Sequence, residues 1–202
     1  MDLRFVSQHA ISGCLPVFIA LSLYFIVLRL FGKKQHIIHI SLSFVLCLYF
    51  IGVCTVTGLC LLPQSFSPRI VIIPFVDMIR GPIDSVLNVI LFIPLGLFLP
   101  MLYKRYDRIG KVALTGFFVS LSIELAQMFG AGSSDINDLI TNTAGACLGY
   151  LLFKLLEKVL SKPLSKLPRA QRVNDYLQVT VLWIGTLLLM ISAQYFVYKL
   201  LF

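Results

Sequence analysis

Six long apolar runs, set apart by short polar or charged stretches, organise this chain: residues 11–31, 37–62, 86–103, 112–129, 136–156 and 176–197. A helix needs about 20 apolar residues, and about 17 to 25 in practice, to cross a bilayer. The runs therefore predict an all-α, polytopic membrane protein with six transmembrane helices, built as a single membrane domain over residues 1–202. The third and fourth runs are short, and the fourth contains Glu124, so hydropathy marks these two least. They count as spans because the connections around them carry charge of the right kind.

Composition agrees. Hydrophobic residues make up 58% of the chain and charged residues 13%, with a mean hydropathy of +0.92, which excludes the soluble classes. The formal charge of +8 would point to nucleic acid in a soluble protein. Here the basic residues lie in short loops between apolar runs, where they set orientation and meet anionic lipid. Membrane lipids, not nucleic acid, are the expected partners. Of the 17 Lys and Arg, thirteen fall at 29–34, 104–111 and 154–172, on one side of a six-span topology. Arg4, Arg69, Arg80 and Lys199 are left for the other side. The positive-inside rule then puts the thirteen in the cytoplasm and both termini outside. The first run lacks a strongly basic start and a small-residue cleavage site, so it reads as a retained helix and not a signal peptide.

Two connections need separate readings. Residues 63–85 are broken by Pro63, Pro68, Pro74 and Pro82 yet include IVIIPF, too short to span. An outer loop with a re-entrant or interfacial element at 69–82 is expected. After the fifth run, LEKVLSKPLSKLPRAQRVNDY alternates Leu and Val with Lys and Arg and reads as a short surface helix on anionic headgroups. The five cysteines lie in or beside apolar runs and read as packing residues. Trp183, Tyr195 and Tyr198 read as interfacial anchors of the last span.

What composition does not explain is ELAQMFGAGSSDINDLITNTAGA, residues 124–146, with its carboxylates and amides inside or at the mouth of apolar runs. At about 1.5 Å per residue, Glu124 sits roughly 7 to 8 Å below the outer end of the fourth run. Asp135 and Asp138 stand at the mouth of the fifth run, Asn142 about a turn deeper, and Ser85 and Asn88 in the first turn of the third. All of these polar residues therefore reach the level of the outer leaflet. Helical spacing puts Gln127 beside Glu124, and lines Asp138, Asn142, Gly145 and Gly149 along one stripe. Gly145 and Gly149 form a GxxxG pair that lets another helix approach closely. Pro94 and Pro100 remove backbone donors from the third run and release the carbonyls of Ile90 and Gly96, in a bend that either lines a polar space or only packs.

An intramembrane carboxylate is costly unless neutral or partnered, so it faces the bundle interior. Arg80 and Arg69 are the candidate partners of Glu124 on the outer connection. Gln127, Asn88 and Asn142 read alternatively as interhelical glue, and Asp135 as a helix cap. The expected site is a pocket binding an amphiphile through Asn88, Glu124, Gln127, Asp135, Asp138, Asn142, Arg80 and Arg69, with Pro94, Gly96, Gly145 and Gly149 in helix packing.

Catalysis is the alternative. His36 and His39 begin the second span and His9 lies outside, so no histidine serves the carboxylates, and Ser133 and Ser134 lack an activating base. An enzyme acting on a phosphorylated or polyprenyl lipid would use Glu124 as base and Asp138 with Asp135 on a divalent ion. Two Asp and an Asn are weak evidence for a metal, and no cofactor is expected. A lipid or proton-coupled transporter would titrate Glu124, but the inverted repeat common in transporters is absent from the sequence. A scaffold for a cell-wall enzyme would make every polar residue structural.

The pairing of NVILFIPLG with SIELAQMFG and DINDLITNTAGACLGY, after a short VIIPF, resembles the VanZ-like family of bacterial membrane proteins over about residues 70–156. The family takes its name from an accessory protein of glycopeptide-resistance clusters, linked to lowered teicoplanin sensitivity by a route separate from replacing the D-Ala-D-Ala terminus. The resemblance implies a place in the bacterial cytoplasmic membrane and a lipoglycopeptide or cell-wall lipid precursor as ligand. Its motif positions are Asn88, Pro94, Gly96, Glu124, Gln127, Asp135, Asp138, Asn142, Gly145 and Gly149. Many members carry an Arg shortly before the Asp pair, where this chain reads GAGSSD. Either Arg80 or Arg69 takes that role here, or the site is more anionic.

Overall fold

A computed structural model describes residues 3–59, 70–71, 82–129, 134–160, 164, 167–170 and 175–201. Among them, six helices are long and apolar enough to cross a membrane, and the protein is a multi-pass membrane protein. They are α1 (Leu3–Leu30), α2 (Ile37–Val56), α3 (Pro82–Leu102), α4 (Ile109–Gln127), α5 (Ile136–Val159) and α6 (Asp175–Ser192). A shorter α7 (Gln194–Leu201) follows a turn at Ala193, so the last apolar run is two helices. Large side chains such as Leu23, Leu30, Leu151 and Leu155 stay exposed on helix surfaces, as a lipid solvent allows.

The described residues group into two compact units. The first holds α1, α2, α6 and α7. Val17 and Leu21, Phe50 and Cys54, and Leu182 and Met190 form its buried interior. Trp183 belongs to it as well. At 4% exposure, with its ring centroid 5.0 Å from that of Phe50, it is a core residue and not the interfacial anchor its place in the run suggests. His39 is likewise buried, with Nε2 3.4 Å from Gln178 Nε2, and His36 caps α2 by accepting from Ile38 N at 3.2 Å. Tyr198 stacks on His9 at 4.5 Å.

The second unit holds α3, α4 and α5, with two short parallel strands, β1 (Ile70–Val71) and β2 (Ser134–Asp135). α3 and α5 run parallel and touch backbone to backbone. A Cβ at Gly96 would meet the Ala146 carbonyl and stand 2.8 Å from Tyr150 N. At Gly149 it would meet the Ile93 carbonyl and stand 2.9 Å from Gly96 Cα, and at Gly145 it would meet the Val89 carbonyl. Helices in lipid associate through such close contact, because tails are as apolar as leucine and no water is released. Gly116 of α4 approaches from the other side, where a Cβ would come 2.7 Å from Ala146 Cβ. α5 is thus wedged between α3 and α4. Pro94 and Pro100 lie within α3 without ending it, and Pro100 is buried.

The far end of this unit is closed by ion pairs. Lys154 Nζ reaches Asp107 at 2.8 Å and Glu157 at 2.6 Å, while Arg169 contacts Glu157 at 2.6 Å and lies 4.9 Å over the Phe153 ring. Ala170 pairs with the end of α3, accepting from Lys104 N at 3.0 Å and donating to Leu102 O at 2.8 Å. Two of the basic residues assigned above to headgroup contact are therefore held by carboxylates. Glu157→Gln is expected to lower the unfolding midpoint only slightly, by up to about 1 kcal/mol for a partly exposed pair. Arg169→Ala is expected to cost more, since that side chain is 13% exposed and also covers Phe153. Thermal unfolding of the two variants in one detergent measures the order.

Candidate functional site

The α4–α5 hairpin builds the site. Its polar residues come from the C-terminal turn of α4 and the N-terminal turns of α5, which face each other because the helices are antiparallel. Glu124 is 7% exposed. Its Oε2 accepts the backbone N–H of Asp135 at 2.8 Å, and its main-chain carbonyl accepts the Ser134 hydroxyl at 2.7 Å. The carboxylate on α4 therefore fixes the strand that leads into α5, beside which β1 lies in register, Ile70 opposite Ser134 and Val71 opposite Asp135.

Asp135 caps α5. Its Oδ1 accepts both the backbone N–H and the side-chain amide of Asn137, each at 2.8 Å. A cap of this kind satisfies a helix-terminal donor and sets a negative charge at the positive end of the helix dipole.

Asp138 and Asn142 point to different neighbours. Asp138 Oδ1 accepts from Asn88 Nδ2 at 2.6 Å, tying the second turn of α3 to the first turn of α5. Asn142 donates from Nδ2 to Ser120 Oγ on α4 at 2.9 Å, at 3% exposure, and its Oδ1 has no partner among the described residues. The stripe of Asp138, Asn142, Gly145 and Gly149 thus splits. Asp138 and the glycines meet α3, and Asn142, about 40° further around the helix at about 100° per residue, meets α4.

Between α4 and α5 a cleft of about 210 Å³ opens, lined by Val71, Leu121, Glu124, Leu125, Met128, Ser134, Asp135, Ile136 and Leu139. Apolar side chains supply most of its wall, and Glu124, Ser134 and Asp135 supply a polar end. Asn88, Asp138, Asn142 and Gln127 do not line it. Gln127 is half-buried on the last turn of α4. Arg69 and Arg80, Gly132 and Ser133, and all of the 69–82 segment except Ile70, Val71 and Pro82 lie outside the described residues. Among the described residues, no three of His, Cys, Asp and Glu stand close enough to share a metal ion. Asp135 and Asp138 each commit an oxygen to an amide instead.

The sequence reading missed Ser120, the hydrogen-bond partner of Asn142. It lies four residues before Glu124 and so on the same helix face, a signal sufficient to find it. Leu121, Leu125 and Met128 gave no signal, because lipid-facing and cleft-facing leucines look alike in sequence.

The family model described as VanZ/LLP1 matches residues 17–157, reaching well before the blocks quoted above. The chain is 36% identical over 109 residues to the Enterococcus faecium protein named "Protein VanZ", covering 54% of this chain and 60% of that protein. The chain thus spans less than two thirds of the length of that curated relative. No solved structure matches.

Proposed function

This chain belongs to the VanZ/LLP1 family, and from that premise we propose that it acts in glycopeptide resistance of the teicoplanin type by binding an amphiphile in the α4–α5 cleft. Its place is the bacterial cytoplasmic membrane, with both termini and the acidic end of the second unit facing outward. The observation that carries the reading is the cleft itself. Its apolar wall of Leu121, Leu125, Met128, Ile136 and Leu139 ends in Glu124, Ser134 and Asp135. That is the layout of a small-molecule site, apolar with a few placed polar groups, and it matches a molecule with a greasy part and a polar head. The orientation rests on charge. In the second unit the described Lys and Arg stand at the Lys104–Lys111 and Lys154–Arg169 end, and Asp84, Glu124, Asp135 and Asp138 at the other.

The test is to express wild type, Glu124→Ala, Asp138→Ala and Leu125→Trp at matched membrane levels and compare sensitivity to teicoplanin and vancomycin. Wild type is expected to protect against teicoplanin more than vancomycin. Glu124→Ala and Leu125→Trp, which remove the polar end and fill the wall, are expected to lose most of that protection, and Asp138→Ala less. Undiminished protection by both cleft variants overturns the reading.

A further inference from the structure

The cleft also constrains the chemistry of its occupant, given the reading above that it binds an amphiphile. Glu124 lines the cleft at 7% exposure, and only Oε2 has a described partner, the Asp135 N–H at 2.8 Å. Oε1 is left as an acceptor. The second carboxylate of the lining, Asp135, has its Oδ1 occupied by both donors of Asn137. Ser134 gives its hydroxyl proton to the Glu124 carbonyl, so it offers the cleft an oxygen. The polar end thus presents acceptors. Among the described residues lining the cleft there is no Lys, Arg or His, and the nearest further titratable groups on α3 and α5, Asp84 and Asp138, are also acidic.

We infer that the cleft selects an amphiphile with a cationic, N–H-donating head, of the primary ammonium type, and a single apolar chain or ring, and that it excludes phosphate and carboxylate heads. A carboxylate in the apolar zone is retained where a cation or donor meets it, and an ammonium with three donors satisfies Glu124 Oε1 and the Ser134 oxygen together. An anionic head would instead face two carboxylates with no counter-charge among the described residues of the lining. Size sets the tail. About 210 Å³ is room enough for one alkyl segment or one ring.

The full-length protein in nanodiscs of phosphatidylcholine tests this, with decylammonium, decanol and decyl phosphate as probes titrated calorimetrically. Decylammonium is expected to bind about tenfold more tightly than decanol, the range of one hydrogen bond to a charged group, and decyl phosphate more weakly than decanol. Glu124→Gln is expected to bring decylammonium to the affinity of decanol. If decanol binds and Leu125→Trp abolishes it, but decylammonium gains nothing or decyl phosphate binds best, the cationic-head inference fails and the cleft reading stands. If none of the three binds, or Leu125→Trp leaves all three unchanged, the cleft reading itself fails. Displacement of bound decylammonium by teicoplanin assigns the ammonium to the drug and supports the inference, whereas displacement by phosphatidylethanolamine, which has two chains and a phosphate in its head, overturns it.

Discussion

Gly149→Leu is expected to remove the folded protein altogether, the largest effect of any single substitution considered. The first atom a Cβ at Gly149 would meet is the carbonyl oxygen of Ile93, and the second is Gly96 Cα. Both are backbone. A crowded side chain can rotate away, whereas here α3 and α5 must separate along the whole line from Gly145 to Gly149. Overpacking a soluble core costs about 1–3 kcal/mol when side chains can give way, and a rigid backbone obstacle places this variant above that range. Moving the helices apart also stretches the Asn88–Asp138 bond of 2.6 Å at the start of both helices. The membrane offers no compensating hydrophobic drive, so packing lost there is not regained. Gly52→Ala is the control, since nothing lies within 4 Å of a Cβ at that position. It is expected to change stability by less than about 0.5 kcal/mol, as surface substitutions do. Size-exclusion profiles of fluorescent fusions give the yield of monodisperse protein. A Gly149→Leu profile like that of wild type would show that α3 and α5 are not in backbone contact.

Much of this arrangement was legible in the sequence because a bilayer leaves few choices. Every spanning segment must bond its own backbone, so apolar run length decided the helices, and the α2 start at Ile37 and the α5 start at Ile136 coincide with the runs. The ends were less clear where polarity does not stop a helix. α3 begins four residues before its apolar run because Pro82 is tolerated in a first turn, where its missing N–H has no intrahelical partner anyway. The last run looked continuous, yet it turns at Ala193, a position with no proline or glycine to announce it. Gly145 and Gly149 announced a close contact but not with which helix. That Gly96 of α3 is the counterpart follows from three-dimensional register alone. The pairing of Ile70–Val71 with Ser134–Asp135 is likewise long-range, and two residues are too few for an alternating pattern to show. Lys154 and Arg169 illustrate a different limit. Charge counting treats each basic residue as free for headgroups, and only the fold shows Asp107 and Glu157 beside them.

Glu124 itself carries the second large expectation, in which structure and binding separate. Its two oxygens have different duties: Oε2 holds the Asp135 N–H at 2.8 Å, and Oε1 is without a described partner at the polar end of the cleft. Glutamine keeps an oxygen for the Asp135 N–H and loses the charge. Alanine loses both and strands that N–H at the edge of the apolar zone, where an unmade hydrogen bond costs about 1–3 kcal/mol. Glu124→Gln is therefore expected to unfold close to wild type, and Glu124→Ala lower by that amount. Hydrogen exchange at the Asp135 amide is expected to remain slow in the first variant and to speed up at least about tenfold in the second, the rate equivalent of about 1.4 kcal/mol of lost protection. On the function proposed above, protection against teicoplanin is expected to fall in both, because both remove the carboxylate. Full resistance in Glu124→Gln would assign Glu124 to holding the hairpin alone. Loss of resistance with an unchanged unfolding midpoint and a protected Asp135 amide would place its charge in contact with the ligand.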